Sequence, residues 1–365
     1  MAWYAGRNWT REELLGRIGD PLQIAGARGS ILTDGKADGV RAIDVSTGAG
    51  LSFTVLPGRG MDIPFASYKG RSIGFFSATG ITSPAYYAEP GLEWRRSFYA
   101  GLLTTCGIAN AGAPSVDEGK AFGLHGRLSN AAAENLATDQ EWVGDEYSIS
   151  LKGTMREAEA MVENLTLTRR IDTMLGAKGF RVHDVVHNRG FSPQPLMLLY
   201  HCNLGFPLLG PGARLVGPIV KSEARDEEAR KDRGLEECLS FPEPVPEYRE
   251  KAFFHTLAAE SDGSTFIALL NRDTGEGQPL GIVMRWNQKE LPTFTEWKMP
   301  CRGFYVLGLE PGTMMPIGRG TLREKGTLPL LQGQGSSEVT LDFAVLDTLE
   351  QFEELEKRAR KLLGK

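Results

Sequence analysis

The chain has 365 residues, a formal net charge of −5 and a pI near 5.7. This acidic balance offers no basic face that could neutralise phosphates, so nucleic acid and anionic membrane surfaces are not expected as partners. The 44 glycines and 20 prolines are spread along the sequence, as is typical of many short strands joined by tight turns. The composition therefore favours an all-β protein.

Large β-sandwiches often form one domain at this length. We therefore predict a single domain over residues 1–365, with an N-terminal extension at 1–39 and a C-terminal helix at 347–365. The start of the chain does not resemble a signal peptide and no apolar run is long enough to span a membrane, which predicts a cytoplasmic protein. The four cysteines are far apart and form no Cys-x-x-Cys pair, so we expect free, mostly buried thiols.

The first predicted element is a short helix near residues 10–15, where Thr10 can cap the helix and Glu13 can bond back to the cap. From residue 40 onward, short runs of alternating apolar residues predict strands. These runs are 40–45, 51–56, 147–151, 161–171, 180–187, 266–270, 281–286, 293–298, 303–309 and 338–346. No substantial helix separates them, which disfavours parallel βαβ winding.

Two later segments differ from the strand pattern. Residues 221–237 carry mixed charges and predict an exposed loop or a short surface helix. Residues 347–363 predict a helix that packs on the outside of the sheets, with a start like a capping box at Asp347 and Glu350. Its apolar stripe consists of Leu349, Phe352, Leu355, Ala359 and Leu362. The alternative role for this helix is to form a homodimer.

Three short motifs follow one another along the chain: residues 122–127 (FGLHGR), 199–203 (LYHCN) and 307–311 (LGLEP). In type and order they resemble the active-site motifs of aldose 1-epimerases. Residues 57–62 (PGRGMD) and 308–313 (GLEPGT) resemble more closely a divergent bacterial branch of aldose-epimerase-like proteins. The chain departs from the usual Asn-His-x-Tyr of the family at residues 200–203, and the substrate-orienting aspartate of the family has no clear counterpart.

This resemblance implies a large antiparallel β-sandwich, the galactose mutarotase-like supersandwich, with a sugar on its concave face. It implies Glu310 as general base, His201 as general acid and His125 as a sugar-binding residue near the ring oxygen. Asn203 and Arg127 belong to the same motifs and join the predicted sugar-binding residues. The implied protein is an isomerase that interconverts the anomers of a free or modified aldose without a cofactor.

The residue types suit this reaction, because anomer exchange needs one base for the anomeric hydroxyl and one acid for the ring oxygen. A carboxylate can serve as the base and an imidazole as the acid near neutral pH. Cys202, although adjacent to His201, points to the opposite face of a strand and cannot act on the same substrate atom.

Five further residues are candidates for sugar binding, because hydroxyls need polar partners and sugar faces stack on aromatic rings. They are Arg59, Asp62, His255, Trp297 and Lys298. We expect at least two of the four polar ones to line the pocket.

Two alternatives come from other classes of function. If His255 joins His125, His201 and Glu310, the cluster could bind a divalent metal and serve a metal-assisted sugar isomerase or lyase. The other alternative is a noncatalytic carbohydrate-binding protein.

Overall fold

The computed structural model describes residues 1–275 and 277–364. Strands dominate these residues, and the ladders between neighbouring strands are antiparallel. In chain order the strands are β1 (Ala2–Tyr4), β2 (Arg7–Trp9), β3 (Gly26–Ile31), β4 (Arg41–Ser46), β5 (Leu51–Leu56), β6 (Asp62–Tyr68), β7 (Arg71–Ser72), β8 (Thr104–Cys106), β9 (Ser115–Asp117), β10 (Lys120–Phe122), β11 (Glu134–Val143), β12 (Glu146–Ala158), β13 (Asn164–Met174), β14 (Gly179–Asn188), β15 (Gln194–Pro195), β16 (Leu199–Leu204), β17 (Ala213–Val216), β18 (Ile219–Ala224), β19 (Lys251–Leu257), β20 (Ser264–Asn271), β21 (Leu280–Asn287), β22 (Thr293–Cys301), β23 (Phe304–Gly312), β24 (Leu330–Leu331) and β25 (Ser336–Leu346). Each of the runs predicted from the sequence overlaps one of these strands.

Three sheets build the two layers of the sandwich. The largest has eight strands in the order β11-β12-β13-β14-β25-β21-β20-β17. A five-stranded sheet, β3-β4-β5-β6-β7, and a six-stranded sheet, β18-β19-β22-β23-β16-β8, face it. Backbone bridges at Ile63–Leu103 and Gly74–Leu204 join these two smaller sheets into one layer. The predicted all-β antiparallel sandwich is therefore confirmed.

The core lies between the layers because one face of each strand is apolar. In β5, Leu51, Phe53 and Val55 are buried while the intervening residues face outward. Phe53 packs on Phe180 of the large sheet with ring centroids 4.6 Å apart. Burying one such side chain contributes roughly 1.5–3 kcal/mol, so the shared apolar face holds the layers together.

The helices are α1 (Arg11–Leu15), α2 (Glu227–Arg230), α3 (Arg319–Glu324) and α4 (Leu349–Leu362). Helix α1 has the predicted capping box: the Glu13 amide donates to Thr10 Oγ1 at 3.2 Å, and the Thr10 amide donates to the Glu13 carboxylate at 2.9 Å. Among residues 1–275 and 277–364, no helix has the length and apolar character needed to cross a membrane.

Helix α4 packs on the outer face of the eight-stranded sheet. Phe352, Leu355 and Ala359 are buried against Phe266 and other residues of β20 and β21, as the apolar stripe predicted. Its cap differs from the prediction: the Thr348 side chain accepts from the Gln351 amide in a capping box. Asp347 instead pairs with Lys178 at 2.7 Å.

The charged segment 221–237 contains more structure than predicted. Residues up to Ala224 belong to β18, which pairs with β19 at the edge of the six-stranded sheet. Val220, Lys221 and Glu223 are all exposed. An edge strand of this kind buries neither face fully, so its sequence need not alternate between apolar and polar residues. The mixed charges of this segment therefore gave no indication of strand β18.

Candidate active site

The strand register brings His201 and Glu310 together. In the ladder between β16 and β23, Cys202 lies opposite Leu309, and both side chains are buried in the core between the layers. The adjacent residues, His201 and Glu310, therefore face each other on the other side of the sheet. As predicted, Cys202 points away from His201, and its Sγ lies 3.7 Å from Met284 Sδ of the large sheet.

His201 and Glu310 form a close, buried pair. His201 Nε2 lies 3.2 Å from Glu310 Oε1, and each residue is 4% exposed. Gly308 leaves room for this arrangement, since a Cβ there would lie 3.0 Å from Glu310 Oε1 and 3.1 Å from the Trp297 Cβ. Gly308, two residues before Glu310 in the same motif, thus has a steric function: it leaves space for the Glu310 and Trp297 side chains.

His125 reaches the site from a tightly packed loop. It has a positive φ of 60°, a conformation uncommon for a residue with a side chain and often found at functional sites. Its amide donates to the Gly112 carbonyl at 2.9 Å and its carbonyl accepts from the Gly107 amide at 3.2 Å. A Cβ at Gly123 would lie 1.7 Å from the Glu89 carbonyl oxygen, so the loop needs glycine there.

We expect Gly123→Ala to displace this loop, because the clash is with backbone. The expected cost is about 1–3 kcal/mol in the free energy of unfolding, with a loss of up to about 100-fold in kcat/KM as His125 moves. Gly29→Ala, where the added Cβ meets nothing within 4 Å, is the matched control and should change neither quantity appreciably. If the two variants have the same unfolding free energy in urea and the same kcat/KM, Gly123 does not hold the His125 loop in place as described.

His125, His201 and Glu310 line one cavity of about 670 Å³, a size typical of small-molecule sites. Aromatic rings form much of its wall. His201 is edge-on to Trp297 at 5.4 Å and to Phe98 at 5.2 Å between ring centroids. The remaining lining residues are Ser77, Thr79, Leu92, Trp94, Arg95, Ala113, Pro114, Leu124, Arg225, Glu250, Ala252, Thr295, Met299, Phe304, Pro316 and Ile317.

Burial shifts the pKa values of the three titratable groups. It raises the pKa of Glu310 to about 8 and lowers that of His201 to about 4. Burial also holds the pKa of His125 well below its ordinary value, and the charges of His201 and Arg95 lower it further. Both shifts favour the uncharged forms at neutral pH, a protonated Glu310 carboxyl beside a neutral His201 imidazole.

Trp297 is held in place by a polar network. Its indole Nε1 donates to Glu250 Oε2 at 2.8 Å, and the Arg225 guanidinium lies 3.3 Å from the same carboxylate. Arg225 also pairs with Asp226 at 2.8 Å. The Trp297 ring, which forms one wall of the cavity, is thus held by Glu250 and Arg225, which also line the cavity.

Four other predicted sugar-binding residues lie outside the cavity, and Arg59 is the first. It is 1% exposed, and its guanidinium donates to the carbonyls of Thr82, Ser97 and Ser129. With its donors directed at these carbonyls and at the Thr82 hydroxyl, Arg59 connects three loop segments. The segment that ends at Ser97 carries Trp94, which lines the cavity, so Arg59 supports the site from outside it.

Asp62 is fully buried inside the sandwich. Its Oδ1 accepts from the Thr105 amide at 3.0 Å and lies 3.1 Å from Arg169 Nη1. Burial raises the pKa of Asp62 to about 6, against the opposing influence of Arg169 and Thr105. The side chain therefore belongs to the core and cannot reach a sugar in the cavity.

His255 and Lys298 lie on the face of their strands opposite the cavity. His255 contacts Ser222 Oγ and Glu296 Oε2, each at 2.8 Å, and its side chain is fully buried. Lys298 donates to the carbonyls of Glu237 and Ser240 at 2.7 and 2.6 Å. The expectation that two of the four polar candidates line the pocket is therefore wrong.

The two remaining predicted residues also lie outside the lining. Asn203 is fully buried and donates to the His201 carbonyl at 2.9 Å. Arg127 is half-exposed and pairs with Glu89. Both residues contact the protein segments around His201 and His125, and neither lines the cavity.

Apart from His125, His201, Glu310 and Trp297, the polar residues that line the cavity were not predicted. Thr295 lies directly opposite Glu310 in the ladder, is 2% exposed, and its hydroxyl has no hydrogen-bond partner among the described residues. The alternation of β22 could have identified it, since it lies two residues before Trp297 on the same face. Arg95 belongs to a short 3-10 turn, Glu93–Ser97, in which no periodic pattern exists.

The metal alternative depended on His255 joining the other two histidines. His255 lies on the other face of the sheet, bound to Glu296. Over residues 1–275 and 277–364, no group of three or more His, Cys, Asp or Glu side chains is arranged to hold a metal ion.

Solved structures share this architecture. A candidate aldose 1-epimerase from Klebsiella pneumoniae has a TM-score of 0.87 and 25% identity, with coverage of 93% of this chain and 88% of that chain. A galactose mutarotase-like protein from Clostridium acetobutylicum has a TM-score of 0.61 and 14% identity, covering 89% and 100%. A galactose 1-epimerase from Lactobacillus acidophilus has a TM-score of 0.56 and 11% identity, covering 88% and 99%. The chain is thus a β-sandwich protein of the galactose mutarotase-like class.

The family is set by sequence. A family described as a domain of unknown function, DUF4432, matches residues 37–345, and the chain belongs to it. No curated protein matches the sequence significantly.

Proposed function

We propose that this protein is an isomerase that exchanges the anomers of an aldose. The contact of 3.2 Å between His201 and Glu310 carries the proposal. The anomeric hydroxyl oxygen and the ring oxygen are both bonded to C1, so an acid and a base that serve them must be neighbours. The likeness to the Klebsiella protein, at 25% identity over most of both chains, supports the same class of reaction.

The proposed reaction needs two proton transfers and no other reactant. Ionised Glu310 removes the proton from the anomeric hydroxyl while protonated His201 gives a proton to the ring oxygen, and the C1–ring oxygen bond breaks. The resulting aldehyde rotates about C1–C2. The ring oxygen then attacks the other face of C1, His201 recovers its proton, and Glu310 returns its proton to the carbonyl oxygen.

The shifted pKa values keep one titratable proton on the pair over a wide pH range, and the reactive form requires that this proton moves from Glu310 to His201. The resting proton lies on Glu310. His201 Nε2, which must carry the proton in the reactive form, lies 3.2 Å from Glu310 Oε1. Trp297 and Phe98 offer rings for the apolar face of the sugar, and His125 stands beside His201 with ring centroids 5.6 Å apart.

The pH profile of kcat/KM should be bell-shaped. Below pH about 4 a second proton binds His201, and above pH about 8 the last proton leaves Glu310, so either change removes the form with one proton. On the basic side, activity should fall about tenfold per pH unit beyond the pKa. The measurement is the catalysed exchange rate at low substrate concentration, after subtraction of the uncatalysed rate. A rate that stays constant from pH 7 to 10 would contradict the assignment to Glu310.

Anomer exchange itself is tested by NMR saturation transfer between the two anomeric protons, over a panel of aldoses. The proposal predicts catalysed exchange for at least one sugar and its loss in Glu310→Gln. If sugars bind wild type and Glu310→Gln equally well and no exchange is catalysed, the protein is a carbohydrate-binding protein instead.

A further inference from the structure

Arg95 stands where the cavity opens into a second depression. It lines both the cavity of about 670 Å³ and an adjoining groove of about 530 Å³, and Thr79 and Leu92 are shared in the same way. The groove, here called the basic groove, is lined by Lys36, Ala78, Thr79, Leu92, Glu93, Arg95 and Arg96. The cavity that contains His201 and Glu310 therefore adjoins the basic groove, and Arg95 lies where the two meet.

The charges in this region are unbalanced. Glu93 is the acidic residue of the basic groove, and it is paired with Arg96 at 2.6 Å. Within residues 1–275 and 277–364, neither Arg95 nor Lys36 has a carboxylate within ion-pair distance. Two cationic side chains thus remain without an acidic partner on a chain whose net charge is −5.

The other arginine of the cavity does not share this property. Arg225 lies between two carboxylates, Asp226 at 2.8 Å and Glu250 at 3.3 Å. Its charge is neutralised by the protein, and its role is to hold Glu250 against Trp297. Arg95 is therefore the guanidinium of the cavity that is available to a ligand.

The charge of Arg95 also acts on His125 inside the cavity. Its positive charge is one of the influences that lower the pKa of His125 at the other side of the cavity. A bound anion beside Arg95 would reduce this influence.

We propose, resting on the isomerase function above, that the substrate is an acidic aldose whose carboxylate or phosphate binds Arg95 while its ring lies over His201 and Glu310. Planar guanidinium groups bind both of these anions through paired hydrogen bonds. Lys36 adds a second positive charge farther along the basic groove.

The test compares a hexose, the hexuronate and the hexose 6-phosphate of the same ring configuration in the exchange assay. We expect one of the two acids to have the highest kcat/KM. Arg95→Gln should lower that value by about 10- to 100-fold, the effect of losing hydrogen bonds to a charged group, and should lower kcat/KM for the neutral hexose by a much smaller factor. Higher salt should weaken the reaction of the acid in wild type more than in the variant.

Arg181→Gln is the matched control, because it removes a guanidinium that is paired with Asp342 at 2.7 Å outside both the cavity and the basic groove. It should change neither substrate by more than threefold. Binding of the same acids to Glu310→Gln, measured by calorimetry with and without Arg95→Gln, separates the two proposals. If the neutral hexose is exchanged as fast as the acids and Arg95→Gln does not change the rate for the acids, the proposal of an acidic substrate is overturned and the isomerase proposal stands. Binding of an acid that depends on Arg95, with no exchange of any sugar, overturns the isomerase but keeps the acidic ligand.

Discussion

We expect Glu310→Gln to lower kcat by about 10²–10⁴-fold, the usual contribution of a positioned proton-transfer group. Gln keeps the shape of the side chain but cannot take a proton, so KM should change much less. His201→Asn should have a similar effect for the proton given to the ring oxygen. The measurement is the exchange rate over a range of substrate concentrations.

The two groups act as one unit, so the double variant should lose far less than the product of the two single losses. The chain offers a matched control on the exposed face of the large sheet, where His183 Nε2 lies 3.5 Å from Glu338 Oε2. His183→Asn and Glu338→Gln repeat the same chemical changes outside the cavity and should leave kcat unchanged. Losses that simply multiply in the Glu310 and His201 double variant would contradict a shared proton.

The second large effect is expected in stability, for Arg169→Met. Arg169 is fully buried and lies 3.1 Å from Asp62 Oδ1 and 2.7 Å from Asp184 Oδ2. Its removal leaves two carboxylates in the core without their cationic partner. Breaking a buried ion pair in this way costs about 3–5 kcal/mol, which urea unfolding would measure.

Arg181→Met is the control for this prediction. Arg181 lies on β14, the strand that also carries Asp184, and forms a two-bond pair with Asp342 at 2.7 and 3.0 Å, but both side chains are well exposed. Solvent screens an exposed pair, so the expected loss is about 0.2–1 kcal/mol. Similar losses for Arg169→Met and Arg181→Met would show that the buried cluster does not stabilise the sandwich as described.

The cluster around Arg169 lies directly behind the candidate catalytic residues. Tyr200, the residue before His201, donates its hydroxyl to Asp184 at 2.8 Å. Strand β16 therefore presents alternate residues to the core and to the cavity, and the core side is held by strong polar contacts. This arrangement gives His201 a rigid support, as a positioned proton-transfer group requires.

The sequence by itself determined ten of the strands, the first and the last helix, and the order of the motifs. Period-two alternation located the strands because each strand has one buried face. The same rule placed Cys202 away from His201, and the core contact with Met284 agrees. The spacing of apolar residues also predicted the outer helix, since Phe352 and Leu355 needed a surface to cover.

The same alternation held information that remained unused. Trp297 and Lys298 are adjacent in β22, so only one of them can face the cavity, and the structure places Trp297 there. Thr295 then follows on the cavity face. The predicted sugar-binding set contained residues of suitable chemistry but from both faces of the sheets.

Only the tertiary structure decided which polar groups are free for a ligand. Arg59 and Asp62 have the chemistry of sugar-binding residues, but the fold surrounds Arg59 with carbonyls and Asp62 with Arg169 and Thr105. Arg95 reaches the cavity from an aperiodic turn. Whether a charged side chain is satisfied inside the protein depends on groups from distant segments, and the local sequence pattern carries no information about those partners.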